Sequence, residues 1–582
     1  MTRPSQAEID LAIKTMPRKQ WYLVVSGIII LVVAVIALLA ILNESYLTRV
    51  PTRGGSLTEG IIGSPRFVNP VLAVSDVDRD LTMLIYSGLM RLNAKGELEN
   101  DLAKSYEVSS DGLTYSFILK DDLHWQDGKP LTADDVLFTI ERLQNPTVKS
   151  PRWATWETVK VEKLAENKIA FTLKQPYYAF LENVTLGILP KHLWEKVEPE
   201  AFAFSDLNIQ AVGSGPYQVS YIKFRRGAAT LPEYYDLEPF ENFALGAPKI
   251  SSLRVRFYPN ETELLTAYEN GVIESLSGLS PATAKKLADT GAKILTVPLP
   301  RMFAIFFNQS QAPIFANAEV RRALNSALNR DAIIESALAG YGQAVEDPLL
   351  IDNNNVVEVT PSGEGVSSTT NNSEGVTLAI EILTKAGWKP NAETGVMEKT
   401  NKAKVVTSLS FTLATSDVPE LKQVAELIKT AWEKIGAKVE LKIFEIGDLN
   451  QNIIRPRQYD ALFFGEALGR GADPYAFWHS SQRLDPGSNI ALYTNLTVDK
   501  KLEELRKLTA PEARRVKSAE ISQEILSETP AIFLYQPYFM YLTPEKIKNK
   551  NLPAINFPAE RFSNINEWYI ATEKVWRIFN QK

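Results

Sequence analysis

The chain has 582 residues, too many for one ordinary core, and at 45% hydrophobic and 10% aromatic its composition is globular. A net charge of −6 without a strongly basic face argues against a nucleic-acid partner. The absence of cysteine excludes a disulfide framework, a thiolate metal site and a lipid-modified cysteine anchor, and His124, His192 and His479 are too few for a histidine-built zinc site, so no metal or cofactor is expected.

Residues 1–20 are polar and carry Arg3, Lys14, Arg18 and Lys19, and residues 21–42 then run without a charge, polar only at Ser26. As a helix rising about 1.5 Å per residue, this run is roughly 33 Å long, enough to span a bilayer. A cleaved signal peptide is the alternative. Its apolar region would be shorter and would end in a small-x-small site, whereas Ala34, Ala37 and Ala40 stand three apart. The run therefore reads as an uncleaved anchor. The basic residues before it, against Arg49 and Arg53 after it, place the N-terminus in the cytoplasm. Residues 43–55, with Pro51 and Gly54-Gly55, read as a short tether.

The globular part starts at Ser56. Residues 56–63 read as a strand leading to a loop with Pro65, Asn69 and Pro70, and Asp80 to Leu92 places Leu81, Leu84, Ile85 and Leu89 at helical spacing. The densest pattern lies in residues 102–142. Leu113, Tyr115, Phe117 and Leu119 alternate with polar Thr114 and Ser116, a half-buried strand that only Ile118 interrupts. Asp111-Gly112 and Asp127-Gly128 are turns on either side. Thr132, three residues before Asp135, opens the pattern Val136, Ile140, Leu143, which predicts a capped amphipathic helix.

Further along, Lys168 to Leu173 alternates as a strand, and a helix starts near Pro190. Gly213-Ser214-Gly215-Pro216-Tyr217 is not a phosphate cradle, because no Lys-Ser/Thr follows and Tyr217-Gln218-Val219 reads as strand. Glu261 to Asn270 predicts a helix, and Phe303 to Phe307 a strand. The polar run from Asn353 to Gly375 cannot bury a core and reads as an exposed insertion. Leu421 to Ile435 is an amphipathic helix closed by Gly436, with a strand from Ala437 to Phe444 behind it. Helices alternating with strands over more than two hundred residues give a mixed α/β class.

Several of these stretches together resemble a known family. Ser110-Asp111-Gly112, Tyr115-Phe117-Leu119, Trp125-Gln126-Asp127-Gly128, Pro130, Thr132-Ala133 and Asp135-Val136 match the signature of the family 5 extracytoplasmic solute-binding proteins, the oligopeptide, dipeptide and nickel group of ABC importers. Gly213 to Tyr217, Gly271 to Glu274, Asn308 with Pro313, Phe315 and Val320 to Leu324, Gly387-Trp388, and Thr529 to Tyr535 resemble later motifs of the family, in its order. The resemblance covers residues 56–582.

It implies a two-lobed periplasmic-binding-protein-like fold of type II, α/β in the mixed α+β sense, with an extra subdomain at about 82–210 in the first lobe. Residues 56–300 would form lobe 1, 301–535 lobe 2, and 536–582 would return to lobe 1. The crossings between lobes would fall near 300–306 and 534–538. The implied function is capture of a peptide or other small solute in the cleft, by a monomer tethered to the outer face of the membrane. Delivery would be to an ABC permease and its ATPases. A tethered sensor or scaffold on the same fold, or an extracytoplasmic hydrolase, are the other classes in view. No G-x-S-x-G elbow, Walker loop or H-E-x-x-H helix is present for the last.

The resemblance also implies the site. Ile62, Gly63 and Ser64 would lie against the ligand at the end of the first strand, Trp153 near an aromatic that lines the cleft, and Arg301 and Tyr535 on the crossing strands. The loop 465–474 would face the cleft with Glu466, Leu468, Arg470 and Asp473. Peptide-binding members often carry an aspartate four residues before the loop's proline, to pair with the ligand's amino group. Counting back from Pro474 gives Arg470, of opposite charge. Either Glu466 or Asp473 substitutes for that aspartate, or Arg470 takes a carboxylate or another anion bidentately, or Arg470 points to solvent or pairs with Asp473.

Overall fold

The computed structural model describes Ser5, Thr15 and residues 17–177, 179–350, 372–469, 473–508 and 510–576. The apolar run is the core of a 29-residue helix, Arg18–Tyr46. Among the described residues this is the one helix long and apolar enough to cross a membrane, and its large apolar side chains are exposed.

The connection from this helix to the globular part is not a free tether. The helix runs directly into the strand Leu47–Pro51, which pairs antiparallel with Thr572–Trp576 near the other end of the chain. The Tyr46 and Trp576 rings stack at 6.4 Å. Gly54 N–H then donates to Lys249 O at 2.8 Å, so the connection is held by hydrogen bonds. Leu47–Pro51 has no local signal as a strand, because its partner lies more than five hundred residues away.

A long sheet carries the globular part. On one side of it, Ser56–Ile62 runs parallel to Ser252–Tyr258 and Ser275–Ser277, followed outward by Ala228–Pro239 and Tyr217–Arg225. On the other side, Lys438–Phe444 and Ser410–Ser416 are parallel, and Ala461–Ala467 joins Ser410–Ser416 to Arg301–Phe307. The 12-residue strand Ala531–Leu542 belongs to both sides. Its first half pairs with Arg301–Phe307 and its second half with Ile294–Pro298 and Ser275–Ser277. The chain therefore passes between the two halves at Leu299-Pro300 and again at Gln536-Pro537. Leu299 N–H donates to Pro537 O at 2.9 Å, and Gln536 Nε2 to Leu299 O at 2.7 Å. Apolar clusters cover both faces of the second half, one under Pro419–Lys434 and one under Leu496–Lys507.

A separate four-stranded sheet, Ala103–Val108, Thr114–Leu119, Lys168–Thr172 and Lys160–Ala165, forms the extra subdomain. In its second strand Tyr115, Phe117 and Leu119 are buried, as the alternation predicts. The helix Ala133–Gln144 has a capping box between Thr132 and Asp135. The helix expected over Asp80 to Leu92 is instead Asp76–Ile85, capped by Ser75, and Met90–Leu92 is a strand. The apolar period continues past the helix end because the strand is buried in the same core. The polar run from Asn353 lies mostly outside the described residues. Its last residues begin the helix Asn372–Lys385.

Candidate functional site

The two crossings bring Arg301, Leu468 and Tyr535 together. Arg301 opens its strand opposite Ala467 and is exposed, and its guanidinium makes no hydrogen bond or ion pair among the described residues. Leu468 N–H donates to Pro300 O at 2.7 Å, which seats the loop after Ala461–Ala467 on the crossing. Tyr535 is buried and stacks on Phe303 at 5.0 Å, and burial pushes its phenol far above the usual range. A Cβ on Gly465 would lie 2.8 Å from the Phe303 ring, so only glycine leaves room for this stack.

Across from it, Ser56–Ile62 ends at Gly63, with φ +115°, whose N–H donates to Tyr258 O at 2.7 Å. Val77 of the helix Asp76–Ile85 fills the space where a Gly63 Cβ would be. Ile62 and Ser64 are half-buried on either side. The loop of the second half reaches the first half at Gly469, where a Cβ would stand 3.1 Å from Asn556 Oδ1. Trp153, partly exposed, donates through Nε1 to Gln144 O at 3.1 Å, in the short helix Trp153–Trp156.

The acidic residues of the loop are occupied differently than the sequence suggests. Glu466 lies on the opposite face of its strand from Gly465, paired with buried Met302, and is itself buried. Its Oε2 has no hydrogen-bond partner, and burial holds its carboxyl well above the usual range, with Arg457 opposing. Burial thus disfavours the carboxylate form that a ligand's ammonium group would need as its partner. Asp473 caps Pro474–Trp478 through Tyr475 N–H and accepts from Arg506 Nε at 2.6 Å, while Arg506 lies over the Tyr475 ring at 3.7 Å. Its carboxylate is thus held by its own lobe. Arg470 falls outside the described residues.

The family motifs serve the scaffold. Gln126 Nε2 donates to the carbonyls of Ile85, Gly215 and Tyr217, at 3.1, 3.3 and 2.7 Å, and its Oε1 accepts from Gly213 N–H at 2.9 Å. Any Cβ on Gly213 would stand 2.0 Å from Ile85 O. Asp135 accepts from Thr132 and Lys191 N–H groups. Arg321 is buried and donates to the carbonyls of Phe315, Glu528 and Thr529.

Sequence reasoning missed a cavity of about 90 Å³ beside the cleft, lined by Arg79, Thr82, Asp101, Arg152, Phe557 and Glu560 among others. Arg152 precedes Trp153, so the motif pointed near it. Arg79 and Glu560 meet only in the fold.

A two-lobed α/β molecule joined by a sheet with two crossings is a periplasmic binding protein in architecture. The family model of the bacterial extracellular solute-binding proteins, family 5 (middle region), matches residues 97–488, and the chain belongs to that family. Its globular part is accordingly an extracytoplasmic solute-binding domain of the ABC-importer type. The chain is 28% identical over 532 residues to the oligopeptide-binding protein AppA of Bacillus subtilis, covering 90% of this chain and 92% of AppA. The structure of that AppA with a nonapeptide matches at TM-score 0.64 and 27% identity, over 90% of this chain and 100% of that one. NikZ of Campylobacter jejuni, in complex with Ni(L-His), matches at TM-score 0.65 and 26% identity, over 88% and 99%.

Proposed function

We propose that this protein is a membrane-anchored solute receptor that captures a peptide-like solute between its lobes and delivers it to an ABC permease with its ATPases. Lobe 1 comprises residues 56–300 and 536–582, lobe 2 residues 301–535, and the lobes close by hinge motion at the two crossings. The observation that carries this is the sheet shared by the two halves, with the chain crossing between them at Leu299-Pro300 and at Gln536-Pro537 and a loop of one half meeting Asn556 of the other. The similarity to AppA, a peptide-binding relative, supports the ligand class.

The helix Arg18–Tyr46 anchors the molecule with its N-terminus in the cytoplasm. The ribbon of Leu47–Pro51 with Thr572–Trp576 holds lobe 1 at the membrane surface, and Tyr46 and Trp576 suit the interface. The full chain in nanodiscs, titrated with mixed peptides of two to nine residues, should show saturable calorimetric binding, and mass spectrometry should find peptide in the purified protein. Absence of both would overturn the peptide assignment.

A further inference from the structure

The chain visits the first lobe once more between its two crossings. The helix Arg330–Leu338 buries Ile333, Ile334, Ala337 and Leu338 in the second lobe. It ends at Ala339 and Gly340, both left-handed, with φ +49° and +84°. This reversal turns Tyr341 out of its own lobe. Tyr341 is buried in the apolar cluster of Leu264, Ile273, Leu276, Ala284 and Leu287, all of the first lobe. Its carbonyl accepts from Tyr538 N–H at 3.1 Å, just beyond the Gln536-Pro537 crossing. Gly342–Ala344 then pairs along Tyr535 to Pro537, and Val345 is buried in the second lobe again.

The two faces of the shared sheet make different contacts between the lobes. Ile61 and Ile555 belong to the cluster on one face of the first lobe, whereas a Cβ on Gly60 would meet Leu264 and Ile273 on the other. Asn556 and the helix Pro281–Asp289 therefore lie on opposite faces. In the second lobe, Leu468 and Leu338 belong to the clusters on opposite faces in the same way. The approach of Gly469 to Asn556 is on one face. On the other, Lys285 Nζ of Pro281–Asp289 reaches Glu335 Oε1 of Arg330–Leu338 at 3.1 Å, and Glu335 lies against Gly340.

We propose that Tyr341 is a stop on the hinge, which limits how far the lobes open and so raises the affinity for the solute without touching it. The proposal rests on the solute-receptor function above and adds a residue that tunes it. An opening that separates Gly469 from Asn556 by bending at the crossings brings the two helices on the opposite face together. The space between them is already filled by Tyr341, and a close-packed interior yields little. The exposed Lys285–Glu335 pair is too weak to fix the angle alone, so the volume of the tyrosine does. Limiting the open forms enlarges the share of molecules near the closed one, and the apparent affinity scales with that share.

The test uses the full chain in nanodiscs, freed of peptide as judged by mass spectrometry, with spin labels at Lys95→Cys and Lys507→Cys. Both positions are exposed. Lys95 precedes Gly96, which lies against Ala554, and Lys507 follows Arg506, which holds Asp473, so the labels flank the Gly469–Asn556 contact. In Tyr341→Ala the peptide-free distance should lengthen and its distribution broaden. Tyr341→Leu should fall between, and Tyr341→Phe should match wild type. The dissociation constant for pentaalanine should rise about tenfold in Tyr341→Ala and stay within about twofold of wild type in Tyr341→Phe. Peptide-free distances equal to wild type in Tyr341→Ala and Tyr341→Leu would overturn the stop even where those variants melt lower, because lost packing alone does not move the labels. Should Tyr341→Ala not fold, Tyr341→Leu carries the comparison. If pentaalanine does not bind wild type, it is the peptide reading that fails, and the peptide-free distances decide the stop by themselves.

Discussion

Glu466 shows how burial changes a residue's chemistry. Its position in a cleft loop suggests an anion for a ligand's amine. The strand turns it away from Phe303 and Gly465 into the core around Met302 and Leu462, where desolvation favours the neutral acid. A carboxyl whose folded pKa is raised stabilises the fold fully below its unfolded value of about 4.5 and loses that contribution as pH rises through the folded value. Asp80 and Asp101, pushed up to about 6 by burial, lose theirs lower, between about pH 4 and 6. The contribution of Glu466 is therefore separable above pH 6. Glu466→Gln should melt close to wild type near pH 4.5 and gain on it as the pH rises above that value. Parallel melting curves above that value would show that Glu466 is ionised in the fold. Arg457, which opposes the shift, also donates to the carbonyls of Ile454, Arg483 and Gly487 and belongs to the scaffold.

Among the elements, the clasp around Gln126 joins pieces that the sequence presents separately. The turn Trp125–Gly128, the Gly213–Tyr217 turn and the end of Asp76–Ile85 meet on one amide side chain. Removing it leaves several half-buried backbone groups unpaired. Gln126→Ala should cost about 2 kcal/mol, the scale of losing a buried partner. Gly213→Ala should cost as much or more, since its Cβ would meet the backbone of Ile85. Urea midpoints of the two variants would check this, and changes under about 0.5 kcal/mol would place the clasp outside the stability of lobe 1. Strands and capped helices with their own period were legible: Thr114–Leu119, Ala133–Gln144 and Pro419–Lys434 stand near where alternation and caps place them. Elements made by distant partners were not. Leu47–Pro51 is a strand only because Thr572–Trp576 lies beside it, and the Arg79, Arg152 and Glu560 cavity is assembled from three distant segments. For the candidate site, the resemblance named the strands and the loop. Which face each side chain takes followed from packing, as Glu466 and Asp473 show.

At the scale of the molecule, function depends on whether two lobes move about two short crossings. Each crossing carries a proline, Pro300 and Pro537, and the pair is bound by Leu299 N–H to Pro537 O and Gln536 to Leu299 O. Gln343 Nε2 adds a bond to Gln536 Oε1 at 2.7 Å. Few backbone dihedrals lie between the halves, so closure would be a hinge motion localised there, with each lobe's sheet unchanged. The chain has no cysteine, which permits spin labels at single introduced sites. Lys95 in the first lobe and Lys422 in the second are exposed, as is Lys507 in the second. Labels at Lys95→Cys and Lys422→Cys should change their separation when peptide is added to the full chain. Labels at Lys422→Cys and Lys507→Cys should not. A solute held by both lobes should also stabilise the fold by about 2.7 kcal/mol at a hundred times its dissociation constant. A fixed distance between the lobes at saturation, with that stabilisation intact, would mean that the solute binds one lobe alone and that the crossings are braces.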